Sequence, residues 1–531
     1  MLSRQSLFVG SAVAVALAMP VLAQPAGPAD VIIRGGTIYD GSATMAPYVG
    51  DVAITGNKIS YVGPKAEMTA KRTIDATGKI VAPGFIDPHT HPQHFFDSAE
   101  AKQRQAPAWL AQGATTVFIG VDGRGDPDVA GVFSKLRQRP VGVNVATYVG
   151  YSNIREAVIG PAARAPTAAE LAKEKALVVQ GMCGGALGLS TGLFYVPQSY
   201  SKTDEIIALA KEAATRGGIY DTHTRDYSDF TVGAIKSFEE ALTIGKEANI
   251  PVHLSHIKII GPKLWGKSVD VIKMVDDARA AGQKVTASQY PYTGNGTSLT
   301  AMFVPNWAMD GGREAFLKRL DNPETFARIK TEMAENLVRT GGPNKFMFRG
   351  RGSPNSGKFL DVVAKEWGVT PVDAALRVLK QGGGQSLIGF VMGEADIANY
   401  MKQPWTLTDS DGGEGHPREY GTFPMKYRKY VVEQKVISLP FFIRNSTGAT
   451  ADAFGIDGRG YLKPGYFADV VVFDPATFAP KNDFNKYDVL AEGVSDLFVN
   501  GAAAVDAGKM TEVLSGIPLP HTPPAGSCPT T

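Results

Sequence analysis

The chain has 531 residues, 44% of them hydrophobic and 20% charged, with a formal net charge of +2. That balance is ordinary for a large globular enzyme and argues against nucleic acid or a charged membrane surface as a partner. Length alone allows two or three domains, or one barrel core carrying insertions.

At the N-terminus, Arg4 precedes an apolar stretch over 7–22, and Val21-Leu22-Ala23 precedes Gln24. A positive start, a short apolar run and small residues at positions −3 and −1 of a cut after Ala23 predict a secretory signal over 1–23. The run falls short of the about 20 residues a membrane span needs. The expected product is exported, periplasmic or secreted, and free of the membrane once the signal is removed. Export permits disulfides, but only Cys183 and Cys528 are present, and their pairing stays open. Cys183 reads as a small buried residue.

Short β-rich runs at 30–39, 50–55 and 58–62 are divided by Gly and Asn turns, and runs of the same character occur at 468–473 and 497–500. They predict one small β-domain formed by both termini, over 25–80 and 460–516. Between them, over 81–459, strand-like runs alternate with helical ones, the pattern of βα units and a parallel sheet. The predicted strands are 84–86, 115–121, 142–149, 185–190, 218–222, 251–255, 284–289 and 405–408. Apolar residues at i, i+3 and i+4 predict helices over 168–180, 203–216 and 267–281. Eight strands make an α/β fold, a closed (β/α)8 TIM-type barrel, with its active site at the C-terminal strand ends. The interval 297–402 is too long for a loop and predicts an inserted lid subdomain with helices at 322–339 and 370–380. The Pro-rich end, 517–531, reads as a disordered tail.

His89-Thr-His91 closes the first predicted strand. Residues i and i+2 of a strand share a face, so the pair offers two imidazoles to one point, a metal-site geometry. Asp122, His223, His256 and Asp411 stand at the ends of the second, fifth, sixth and eighth predicted strands. Four of the eight histidines of the chain fall in this set. Asp409 shares a strand face with Asp411, and spacing alone does not separate them. His94, His253 and His521 read as structural, whereas His416 is left open. Asn295-Gly-Thr and Asn445-Ser-Thr match glycosylation sequons.

His89-Thr-His91, Tyr220-Asp-Thr-His223-Thr-Arg225, Leu254-Ser-His256-Ile-Lys258 and Asp409-Ser-Asp411-Gly412 together resemble the amidohydrolase superfamily. Leu187-Gly-Leu-Ser-Thr-Gly-Leu193, Tyr290-Pro-Tyr292-Thr293 and His416-Pro-Arg418-Glu-Tyr-Gly-Thr-Phe-Pro424 resemble the N-acyl-D-amino-acid deacylases within it. The resemblance implies one or two divalent ions, Zn²⁺ first, with His223 and His256 at the tight position and His89 and His91 at a weaker one. It further implies Asp411 as general base and acid, and Lys258, Tyr290 or Tyr292, and Arg418 on the substrate α-carboxylate. The family commonly has a bridging Cys in a Gly-Asn-Cys-Gly turn, where this chain has Gly120-Val-Asp122-Gly123. A carboxylate there favours harder ions than a thiolate would. Acidic residues common after the histidine pair are replaced by Pro92-Gln93.

The expected reaction is hydrolysis of a linear amide in a small molecule, N-acyl-D-amino acid to D-amino acid plus carboxylate. A metallo-dipeptidase and a cyclic-amide hydrolase of the dihydropyrimidinase type are the rival enzymes. The latter bridge their metals with a carboxylated Lys on the fourth strand, and residues 185–193 hold no Lys. A barrel retired from catalysis and used for binding would have lost more ligands than one bridging residue. Asp411→Ala is expected to abolish turnover with little effect on folding. Side-chain and acyl preference and oligomeric state are not legible.

Overall fold

The computed structural model describes residues 27–350, 353–382 and 386–529, so the expected signal segment lies outside the described residues. Eight short parallel strands form the barrel: Phe85–Asp87, Ala114–Ile119, Asn144–Thr147, Gly188–Gly192, Ile219–His223, Val252–Leu254, Val285–Gln289 and Thr406–Thr408. The third resumes as Val149–Gly150 and there pairs with the fourth. Strands one to three pair in order, as do four to eight. A parallel bridge between Thr90 and Gly412 joins the first strand's continuation to the eighth's. Helices cover the outside, so strands such as Ala114–Ile119 are buried almost throughout rather than on alternate residues.

Local sequence sets the helix starts. Ala168–Cys183 opens with a capping box in which the Thr167 hydroxyl accepts from the Glu170 N–H and the Glu170 carboxylate accepts from the Thr167 N–H. Asn322 caps Pro323–Arg339 through its side-chain oxygen.

Residues 29–83 and 470–510 meet in a nine-stranded sheet. Ile80–Pro83 pairs antiparallel with Val470–Phe473, which seams the N-terminal strands to the C-terminal ones. Val31, Ile33, Val52, Ile54, Val470 and Val472 alternate onto one face and form its core. Between the seventh and eighth barrel strands, Gly294–Ser298, Phe346–Arg349 and Ser386–Phe390 make a three-stranded antiparallel sheet, accompanied by Pro323–Arg339 and Pro371–Gln381. Gly296, Thr297, Arg349 and Leu387 of that insertion line the cavity over the barrel mouth.

Two expectations are corrected at the C-terminus. Residues 516–521 are not a disordered tail but a strap under the N-terminal ends of the third and fourth strands. The N–H groups of Gly516, Leu519 and His521 donate to the carbonyls of Val141, Val145 and Gly185 at 3.0, 2.8 and 2.9 Å. The prolines that read as disorder alternate with these donors, so the missing N–H groups leave the strap's hydrogen bonds intact. Cys183 is not a buried thiol: it is half-buried and disulfide-bonded to Cys528. Asn295 and Asn445, the sequon asparagines, are both buried and closed to glycosylation in the folded protein.

Candidate active site

Each acidic or imidazole group at the mouth is placed by the backbone just beyond a strand. The first strand stops at Asp87, yet the chain stays extended because Thr90 N donates to Phe118 O at 3.1 Å and His91 N to Gly412 O at 2.7 Å. His89 and His91 therefore keep the shared face of a strand. Asp122, His256 and Asp411 have positive φ, at 55°, 37° and 44°. That region is unfavourable for L-residues, by roughly 1–2 kcal/mol, and persists where the surroundings over-determine it. Gln198 supplies part of that determination: its Nε2 donates to Asp122 O at 2.9 Å and its Oε1 accepts from Gly192 N at 2.7 Å. Gly123 makes room for it, since a Cβ there would stand 2.2 Å from Gln198 Oε1.

Asp122 is the centre of the cluster. Its Oδ1 lies 3.3 Å from His256 Nε2, 3.4 Å from His89 Nε2 and 3.5 Å from His223 Nδ1, while its Oδ2 lies 3.4 Å from His91 Nε2. Asp411 Oδ1 lies 3.3 Å from His91 Nε2 and 3.7 Å from His89 Nε2. Two ligand sets share Asp122: His89, His91, Asp122 and Asp411 form one, and Asp122, His223 and His256 the other, each with ligand atoms within 4.8 Å.

These residues fit divalent ions. Both ring nitrogens of His89 are buried without a hydrogen-bond partner, and His223 Nδ1 faces His256 Nε2 at 3.0 Å. Burial moves the His223 imidazole down to about 4, and burial with the Lys258 ammonium holds His256 well below its ordinary value, so both rings are in the neutral, ligating form. Burial opposes a charge on Asp411, but Arg418 and the histidines outweigh it and keep the carboxylate ionised.

Next to the cluster is a cationic wall. Arg418 Nη2 pairs with Asp411 Oδ2 at 2.9 Å, whereas its Nε and Nη1 are buried without partners. Lys258 and Tyr290 line a small cavity together with His223 and Asp411. Arg418 stacks 4.6 Å above the Tyr290 ring. Tyr292 instead packs against His416 and Phe484, so of the two tyrosines Tyr290 faces the site. His416, left open by the sequence, lines the mouth cavity in a fixed tautomer: its Nδ1 accepts from Arg418 N and its Nε2 donates to Gly294 O, both at 3.0 Å. Asp409 is fully buried beneath and belongs to neither ligand set. His253 bonds Thr286 and Ser288.

Gln198, Tyr195, Arg124 and Arg349 were not singled out from the sequence. Tyr195, Arg124 and Arg349 line the mouth cavity of about 600 Å³. They come from loops and from the inserted sheet, where no periodicity marks a residue as facing a site.

No family model matches the chain. It is 32% identical over 502 residues to a D-aminoacylase of Alcaligenes xylosoxydans xylosoxydans, covering 90% of this chain and 94% of the relative. It is 33% identical over 506 residues to an N-acyl-D-aspartate deacylase of the same organism, covering 90% and 92%. Among solved structures, a D-aminoacylase described as defining a subset of amidohydrolases superposes with a TM-score of 0.79 at 31% identity, over 93% of this chain and all of the other. The N-acyl-D-glutamate deacylase of Bordetella bronchiseptica, complexed with zinc and a phosphonate mimic of the tetrahedral intermediate, superposes with a TM-score of 0.78 at 28% identity, over the same shares. A dihydropyrimidinase from Brevibacillus agri, at 16% identity and a TM-score of 0.55, shares the fold. With its barrel, its histidine and aspartate cluster and this likeness over nine-tenths of its length, the chain belongs to the D-aminoacylase family of metal-dependent amidohydrolases.

Proposed function

We propose that the protein hydrolyses N-acyl-D-amino acids to the free D-amino acid and a carboxylate, using one or two divalent ions held by His89, His91, Asp122, His223 and His256. The observation that carries the reading is the juxtaposition of the Asp122-centred ligand sets, Asp411 Oδ1 facing them, and the unpartnered Nε and Nη1 of Arg418 beside them. A bound divalent ion supplies a water of lowered pKa and polarises a carbonyl oxygen. Asp411 takes the proton of the attacking water at Oδ1 and returns it to the departing nitrogen. Arg418, already held in place through Nη2, offers the N–H groups of its free Nη1 to the α-carboxylate, with Lys258 and Tyr290 completing the grip. Zinc is supported by the zinc-bound relative, and the nitrogen and oxygen donors here, with no sulfur, extend the choice to harder ions such as Mn²⁺.

Export to the periplasm or medium is part of the proposal. It is supported by the signal-like N-terminus and by a disulfide, which suits an oxidising compartment.

A substrate panel tests the reaction. Released amine from N-acyl-D-amino acids, with dipeptides and cyclic amides inert, is the expected result. Ring opening of cyclic amides without D-amide hydrolysis would contradict it.

A further inference from the structure

Arg349 ends the strand Phe346–Arg349 of the inserted sheet, paired there with Ser386. It lines the same cavity as His91, Asp122, Asp411 and Arg418, yet it has no part in the chemistry above. Only 4% of the residue is exposed, and its Nε and Nη2 are buried with no hydrogen-bond partner. Those two nitrogens form one edge of the guanidinium, the edge that grips a carboxylate with two parallel hydrogen bonds. Leaving two adjacent guanidinium nitrogens buried without a partner is expensive. Asp483 makes no ion pair with Arg349 and instead accepts, at Oδ1, the backbone N–H groups of Asn485 and Lys486 at 2.6 and 2.8 Å. Tyr487 offers only its ring, 5.7 Å away. Arg349 lies against the His416 loop, its Cβ within ordinary contact distance, 3.5 Å, of where a Cβ on Gly415 would stand. His416, locked by its two hydrogen bonds, lines the same cavity as Arg349 and Arg418.

We propose that Arg349 binds a second carboxylate of the substrate, a role that presupposes the deacylase activity proposed above and narrows it to dianionic N-acyl-D-amino acids. With the α-carboxylate on Arg418, the rest of the molecule occupies the cavity Arg349 lines. Arg124, exposed at the same cavity, adds positive charge that steers a dianion inward. The second carboxylate belongs either to an acidic side chain or to a dicarboxylic acyl group.

The test compares the metal-loaded wild type with Arg349→Met and Arg349→Lys on N-acetyl-D-glutamate, its neutral isostere N-acetyl-D-glutamine, N-succinyl-D-leucine and N-acetyl-D-leucine. The wild type is expected to prefer one dianion over its neutral counterpart by at least about 100-fold in kcat/KM, the worth of two charge-assisted hydrogen bonds. Arg349→Met should erase that preference while keeping turnover of the neutral substrates, and Arg349→Lys should restore part of it. Loss confined to N-acetyl-D-glutamate places the carboxylate on the side chain, and loss confined to N-succinyl-D-leucine places it on the acyl group. An equal loss on all four substrates, or no loss on any, overturns the assignment. A wild type that cleaves none of the four removes the deacylase reading itself, a result distinct from either.

Discussion

Asp411→Asn is the substitution that separates chemistry from folding at this site. Asn keeps the left-handed backbone at φ 44°, which it tolerates better than most residues, and its amide oxygen still accepts from Arg418 Nη2. What it removes is the proton acceptor, so kcat should fall by about 10²- to 10⁴-fold. The loss of charge in a hydrogen bond to a buried guanidinium should lower stability by about 1–3 kcal/mol. Alanine behaves differently, contrary to the expectation from sequence that it would leave folding almost untouched. The Arg418 side chain is 5% exposed, and removing the carboxylate paired with it leaves an uncompensated buried charge, worth about 3–5 kcal/mol. The assay is steady-state amine release at verified metal content, together with urea unfolding of wild type, Asn and Ala variants. A kcat for the Asn variant within a factor of about three of wild type would refute the base assignment. Equal stability of the Ala and Asn variants would refute the ion-pair reasoning.

Glu174 is fully buried, both its carboxylate oxygens lack a hydrogen-bond partner, and burial with the Glu205 charge pushes it from 4.5 up to about 7. Its folded pKa exceeds its unfolded one, so the protein loses stability as pH rises from about 4.5 through about 7. Glu174→Gln should be more stable than wild type at pH 8 by up to about 3 kcal/mol, with the gap closing toward pH 4.5; a gap independent of pH in urea titrations would contradict this. Cys528→Ser opens a loop of 345 residues at the barrel end remote from the site. It should lower the unfolding free energy by about 2–5 kcal/mol with kcat unchanged, and a matching fall in kcat would show that the strap reaches the chemistry. Gln198→Leu frees the Asp122 turn and should weaken divalent-metal affinity about 10- to 100-fold by competition with a chelating dye; unchanged affinity would remove Gln198 from the centre's support.

The barrel was legible because buried parallel strands carry an apolar signal that helices interrupt at regular intervals, and each predicted strand overlaps an observed one. The clustered histidines and aspartates were legible because chemistry concentrates at strand ends, where a polar residue after an apolar run stands out. What failed lacked such contrast. The terminal strap uses backbone donors between prolines, which composition cannot tell from disorder. Asp409 and Asp411 share a spacing, and only the left-handed turn at Asp411 lifts one into the cluster and leaves the other in the core. Arg349 and Gln198 act from an insertion and a loop, where long-range packing alone decides what faces the site.

The most direct test of the central claim is amine release from paired N-acetyl-D- and N-acetyl-L-amino acids, dianionic and neutral pairs included, by metal-loaded protein before and after chelation. The account predicts cleavage of the D-series alone, lost on chelation and restored by added Zn²⁺ or Mn²⁺. Cleavage that survives full removal of metal, or that favours the L-series, would contradict it.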